Sequence, residues 1–233
     1  MQPWYKELGF YSNPFVIKPL AFHEELFGYD MNNILQKIEA GNVLFIEGEY
    51  GKGKTTILKK IIRTFGGSRK IVYYSCNRTE DNIDFHDLLG RRWGVLGKLF
   101  GVKGTDLILL LDEAQELTLQ DLQTIKDYYK KHFKSIVIVS SDWDTVKKLD
   151  GVKDLVGENL IKLEELSDED AINIVRKRIG NIKILSDDMI KEIFHLSEKN
   201  PRHLLKNCED VCRYAMNMGS KEVKKDHLKI LKK

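Results

Sequence analysis

Short runs of consecutive apolar residues alternate with longer stretches in which apolar side chains recur every three or four positions. Residues 42–47 (NVLFIE), Ile71–Ser75, Leu107–Leu111 and Ile136–Val139 read as strands, with Leu160–Leu163 as a fifth. Because these runs are continuously apolar, the strands are expected to be buried on both faces, as in a parallel sheet covered by helices. After the first strand and a glycine-rich turn, Lys54–Thr64 carries Ile57, Leu58, Ile61 and Ile62 at helical spacing. Beyond Leu166 the pattern becomes wholly helical. Ser167 and Ser186 each precede carboxylates, which suits helix starts whose free amides favour hydroxyls and negative charge. Pro201, after Asn200, fits the first position of a further helix. The expected organisation is an N-terminal arm over residues 1–30, an α/β core over 31–165 and a small all-helical domain over 166–233.

Composition narrows the class without naming a partner. The 233 residues are 42% hydrophobic and 31% charged, which is ordinary for a folded domain and unlike a disordered chain. A net charge of +3 does not by itself announce nucleic acid, so any basic surface must be local. No apolar run approaches the roughly 20 residues of a membrane helix, and the start lacks a signal-peptide core, so no membrane insertion is expected. Cys76, Cys208 and Cys212 lack metal-ligand spacing, and the spacing of the last two suits core packing on one helix. The six histidines are scattered without metal spacing, and a reducing, cytoplasmic setting is expected.

The chemistry concentrates in two segments. Gly48-Glu49-Tyr50-Gly51-Lys52-Gly53-Lys54-Thr55 fits G-x-x-x-x-G-K-[ST] between a strand and a helix. Glycines there let the backbone wrap a polyphosphate, so that amides from Gly51 to Thr55 and Thr56 meet its oxygens at a helix N-terminus. Lys54 is expected on the β and γ phosphates and the Thr55 hydroxyl on magnesium. The second segment, Leu107-Ile108-Leu109-Leu110-Leu111-Asp112-Glu113, ends a buried strand in two acids. Asp112 would hold the metal and Glu113 would orient and activate water; a structural carboxylate at a strand end is the alternative for Glu113. Together the segments predict a site for ATP or ADP with Mg2+. Ser140 and Ser141, after the fourth strand, either hydrogen-bond the γ phosphate or its water, or merely begin a loop. Arg202 either neutralises phosphate charge from the helical part or is a solvated surface residue. Phe15, Val16 and Phe27 either wall an adenine slot or pack the arm.

These residues together resemble the AAA+ ATPases. GEYGKGKT is similar to their Walker A, LILLLDEA to Walker B, Ser140/Ser141 to sensor 1 and NPR to sensor 2. The helical segment resembles the lid of replication-initiator ATPases of the origin-recognition group. The start, ELGFYSNPF, with LLLDEAQEL, resembles the ExeA and TniB ATPases of secretion and transposition. The resemblance implies a Rossmann-like P-loop core with a helical lid, Mg-dependent ATP hydrolysis and, often, DNA transactions. Three departures stand out: a serine replaces the sensor 1 asparagine, no arginine lies between Asp142 and Leu166, and no winged-helix segment follows the lid before Lys233. Lys147, Lys148 or Lys153 would have to replace the missing arginine finger, without its bidentate fork.

Partner surfaces are read from charge and aromaticity. Arg91, Arg92, Trp93, Lys98 and Lys103, with Leu96 and Phe100, form either a nucleic-acid-facing surface or an amphipathic helix with Trp93, Leu96 and Phe100 on the core. The basic tail, 221–233, is either the last lid helix or a phosphate-contacting edge. Three functional classes follow: an ATP-driven switch in a DNA transaction, an ATPase regulating or remodelling a protein complex, and a nucleotide-gated module with negligible turnover; DNA, a protein partner or a homo-oligomer are the partners these classes call for.

Overall fold

A computed structural model of the chain describes residues 3–17, 29–66, 70–77, 83–89 and 106–231. The chain separates into two compact units. One, the sheet unit, comprises Asp30–Tyr50 and Ile57–Leu163; the other, the helical unit, comprises Met1–Tyr29, Gly51–Thr56 and Glu164–Lys233.

The sheet unit is built on β1 (Val43–Glu47), β2 (Ile71–Ser75), β3 (Leu107–Asp112), β4 (Phe133–Ser140) and β5 (Leu160–Lys162). They form one sheet in the order β2-β3-β4-β1-β5, with every pairing parallel. All six residues of β3 are buried, as are the first four of β1. That is why the sequence shows apolar runs rather than alternation. Register sets the strand ends in a row: Glu47 lies opposite Ser140, and Ser75 opposite Asp112.

Helix α2 (Met31–Glu39) opens on Asp30, whose carboxylate accepts from the Asn33 amide at 3.1 Å. It buries Ile34 and Ile38. Helix α3 (Lys54–Thr64) buries Ile57, Leu58 and Ile61. Helix α4 (Leu119–Tyr128) follows β3 behind a complete capping box, in which Thr118 and Asp121 exchange hydrogen bonds. The short helices α5 (Trp143–Val146) and α6 (Val152–Val156) lead to β5.

Strand β4 starts three residues before the apolar run Ile136–Val139. Lys134 and Ser135 hide that start in the sequence. Lys134 is exposed, whereas Ser135 is buried and donates its hydroxyl to the Asn42 carbonyl at 2.5 Å. A buried hydroxyl with such a partner is compatible with the sheet interior.

The helical unit holds α1 (Trp4–Glu7), α7 (Asp168–Ile179), α8 (Asp187–Leu196) and α9 (Pro201–Asn217), then a 3-10 helix at Lys225–Leu231. Ser167 and Ser186 cap α7 and α8 as the sequence suggests, and Pro201 takes the first turn of α9. Their shared core includes Val175, Ile190, Phe194, Leu204, Cys208 and Cys212. Burial pushes both thiols up, which leaves them as small apolar fillers. Phe15 is wholly buried in this core and stacks on Trp4, with ring centroids 6.1 Å apart. Its ring thus contributes to the packing of the arm. Among the described residues no helix is long and apolar enough to cross a membrane.

Arg178 of α7 pins the arm: its guanidinium donates to the Pro14 and Val16 carbonyls at 3.1 and 3.0 Å. Arg178→Ala is expected to destabilise the protein by about 1–3 kcal/mol, since the charged donors to two arm carbonyls are lost. Urea denaturation measures it, and an unchanged midpoint would contradict the pinning.

Candidate functional site

Strand β3 ends in the buried carboxylate of Asp112. Its Oδ2 accepts from the Tyr73 hydroxyl at 3.1 Å, and its Oδ1 from the Glu113 amide at 3.0 Å. The Asp112 carbonyl takes the Cys76 amide at 2.9 Å. Burial and the Asp112 charge push the Tyr73 hydroxyl up to about 12. Burial, then the carboxylates of Asp121 and Asp112, push the Cys76 thiol up to about 12 as well. A compact concentration of negative charge therefore sits at this strand end.

Glu113 stops the strand. Its backbone is left-handed, with φ 54° and ψ 44°, and it leads into a 3-10 turn at Ala114–Glu116. That conformation costs an L-residue about 1–2 kcal/mol. The turn brings Gln115 back to its neighbour, and Gln115 Nε2 donates to Glu113 Oε2 at 2.7 Å. Gln115 Oε1 in turn accepts from Ser140 Oγ at 3.0 Å, and the Asp142 amide donates to that hydroxyl at 3.1 Å. Ser140 is fully buried and joined to Glu113 through one amide, while Ser141 is exposed. On β1, Glu47 accepts from the Trp143 amide at 2.8 Å and pairs with Lys162 at 3.2 Å.

The loop after β1 is crowded at its glycines. A Cβ on Gly48 would lie 2.8 Å from Leu163 Cδ1. Gly51 and Gly53 have φ of 87° and 94°, the left-handed region that glycine enters freely. Within the helical unit, a Cβ on Gly51 would collide with the Asn200 side chain. Asn200 Oδ1 meanwhile accepts from the Arg202 and His203 amides at 2.9 and 3.3 Å, so the N-terminus of α9 begins against this loop. Lys52 and Lys54 are buried; Thr55 and Tyr50 are exposed, Thr56 half-buried.

Tyr29 was not legible as a loop residue. Its hydroxyl donates to the Lys52 carbonyl, and its ring lies 3.6 Å from where a Gly53 Cβ would sit. Burial, then the Asp170 charge, raise it to about 12. Tyr73 and Gln115 were missed too. Only strand register and turn geometry bring them to the acids.

Arg202 is exposed on the first turn of α9, and Val16 is half-buried. Phe27 and the basic-aromatic segment (Arg91, Arg92, Trp93, Leu96, Lys98, Phe100 and Lys103) lie outside the described residues. In the tail, Lys229 pairs with Asp226 at 3.1 Å and Lys225 with Glu192 at 3.9 Å.

Tyr29 yields a test. Its ordinary value is 10.0, so a proton held to about 12 stabilises the fold fully below pH 10. That contribution falls away as pH climbs from 10 toward 12, because the unfolded chain releases its proton first. Tyr29→Phe is expected to cost about 1 kcal/mol at neutral pH and to lessen the alkaline loss. Denaturation midpoints against pH measure both effects.

No curated protein matches the chain in sequence. Solved structures do match in shape. A chain of the Drosophila ORC bound to DNA superposes with TM-score 0.71 at 15% identity, covering 99% of this chain and 65% of that one. Cdc6p from Pyrobaculum aerophilum gives TM-score 0.70 at 15% identity, covering 92% and 69%. The RuvB Holliday junction branch migration motor of Thermotoga maritima gives 0.64 at 14% identity, covering 92% and 72%. At such identities the likeness shows a shared fold: a parallel P-loop sheet followed by helices. A family model for an AAA domain matches residues 40–167, more than half of the 233. The chain belongs to that AAA domain family.

Proposed function

We propose that this chain is a Mg-dependent ATPase of the AAA+ type that acts as a nucleotide-driven switch in a DNA transaction. The observation that carries the reading is the loop at 48–55. Its glycines take conformations and close contacts that a side chain would forbid, and it leads into the buried Lys54 at the start of α3. Such a loop presents consecutive backbone amides and a helix N-terminus, the arrangement suited to a polyphosphate.

On this reading, amides from Gly51 to Thr56 hold the phosphate oxygens and Lys54 neutralises the β and γ phosphates. The residues present fit a magnesium ion: a hydroxyl at Thr55 and a buried carboxylate at Asp112, both oxygen donors. Bound there, the ion would supply charge neutralisation of the triphosphate. Glu113 orients the attacking water and takes its proton. Ser140, rather than the exposed Ser141, is the serine tied to that carboxylate. Arg202 would add positive charge from the first turn of α9, whose cap residue abuts Gly51 in the same unit. Val16 would bound the base.

The DNA part is supported by likeness to the DNA-bound Drosophila ORC chain and to RuvB, and by the basic residues at 91–103 and in the tail. The likeness spans 65% of the Drosophila chain, so its DNA contacts belong to that protein.

Lys54→Ala is expected to weaken ATP binding by about 100-fold or more, whereas Glu113→Gln should keep binding and lower turnover by about 100–1000-fold. Calorimetry and phosphate release measure these. If the parent protein binds no adenine nucleotide in the presence of magnesium, the reading is wrong. Duplex DNA affinity should fall steeply with salt. Absence of binding even at low salt would remove the DNA part alone.

A further inference from the structure

We propose that Gln115 is a positioning residue for the Glu113 carboxylate, supplying from the 3-10 turn the amide that β4 lacks. The inference rests on the reading of Glu113 as the water-orienting base. It names a residue that the sequence motifs leave unassigned.

A carboxylate that is to accept a proton from water needs one oxygen fixed and the other open. Glu113 has this division. Its Oε2 is occupied by Gln115 Nε2 at 2.7 Å, and its Oε1 has no hydrogen-bond partner among the described residues. Without the amide, a half-buried glutamate side chain would sample several rotamers and the open oxygen would have no defined place.

The amide is itself held in one orientation. An ionised carboxylate only accepts, so Nε2 must face Glu113 and Oε1 must face away from it. Oε1 there meets the hydroxyl of Ser140, which is fully buried and anchored by the Asp142 amide at 3.1 Å. The three residues form a relay running from the last residue of β4 to the first residue after β3. A serine at the end of β4 is short, and no hydrogen bond joins Ser140 directly to Glu113 among the described residues. Gln115 spans that gap. The missing asparagine at sensor 1 therefore does not leave the carboxylate unguided: the amide is contributed by a neighbouring element.

The backbone supports the same conclusion. Glu113 adopts φ 54° although it is not glycine, and this left-handed residue is what folds Gln115 back within reach. A residue held in a sparsely populated region persists because its surroundings over-determine it. Here the surroundings include the Asp112–Glu113 amide contact and the Gln115 bond.

The experiment compares Gln115→Leu and Ser140→Ala with the parent, each alone and in a Glu113→Gln background. Single-turnover hydrolysis, kcat and KM, ATP affinity and thermal midpoint are read for each. Gln115→Leu is expected to lower kcat by about 10–100-fold with ATP affinity changed by less than about threefold. In the Glu113→Gln background the same substitution should change the residual rate by less than about twofold, because the group it positions is gone. Ser140→Ala should reproduce the kcat-selective loss more weakly, and it serves as the test if Gln115→Leu lowers the thermal midpoint severely. The inference is overturned if Gln115→Leu leaves kcat intact, or if it lowers the rate equally in both backgrounds, as a merely structural role would. Failure of the parent reading is distinct: the unmodified protein would not hydrolyse ATP, or Glu113→Gln would retain full turnover, and Gln115 would then have no base to position.

Discussion

A parallel sheet covered on both faces keeps charge out of its buried middle and admits a buried hydroxyl there only with a partner, as at Ser135, and that constraint organises everything else in the sheet unit. The five residues Leu107 to Leu111 are buried without interruption, so the first place on β3 where charge can stand is Asp112. The same holds for β1 at Glu47, and register sets it opposite Ser140, the polar residue that ends the apolar run Ile136–Val139 of β4. Chemistry collects along the carboxyl edge because burial excludes it from the rest of the strands. Asp112 is buried even there, so its charge must be compensated by hydrogen bonds. The Tyr73 hydroxyl and Glu113 amide provide two of them.

The same constraint explains which features were legible from residues alone. A strand that must be apolar throughout announces itself, and Ile71–Ser75 and Leu107–Leu111 were readable to within a residue at each end. The loop at 48–55 and the capped helix starts at Ser167 and Ser186 were readable because their chemistry is local. What escaped was non-local. Tyr73 reaches Asp112 only because β2 pairs β3 in one register, and Tyr29 reaches Lys52 across 23 positions of sequence. The start of β4 escaped because Ser135 looks like a loop residue until its hydroxyl finds the Asn42 carbonyl. Phe15 was open to two readings, and its stacking on Trp4 is a contact that the sequence pattern does not signal.

Ser140 and Ser141 illustrate how little separates a buried polar group from an exposed one. They are chemically alike and adjacent, and the sequence offered no ground for choosing. The pleat decides. β4 ends on Ser140, whose hydroxyl is buried and must be satisfied, and the next side chain faces solvent. Two polar partners, the Gln115 amide and the Asp142 backbone, meet that requirement. A group obliged to find partners is a more reliable anchor than one that water can satisfy. On this ground the relay toward Glu113 runs through Ser140.

The glycine loop shows a similar division of labour in its backbone. Gly48 is forbidden a side chain by Leu163, within the sheet unit, and Gly51 by Asn200, within the helical unit. Neither restriction arises from the G-x-x-x-x-G-K-[ST] pattern itself, which fixes glycine at 48 and leaves position 51 open. Two independent reasons for the same residue therefore coincide at Gly51: a left-handed φ of 87° and the absence of room beside Asn200. Asn200 is also the cap of α9, spending its Oδ1 on the Arg202 and His203 amides. Any rearrangement that moved the Gly51 backbone would press on the cap of a 17-residue helix carrying Arg202 on its first turn. Gly51 and the cap of α9 are therefore fitted to each other inside one compact unit, with no room for a side chain between them.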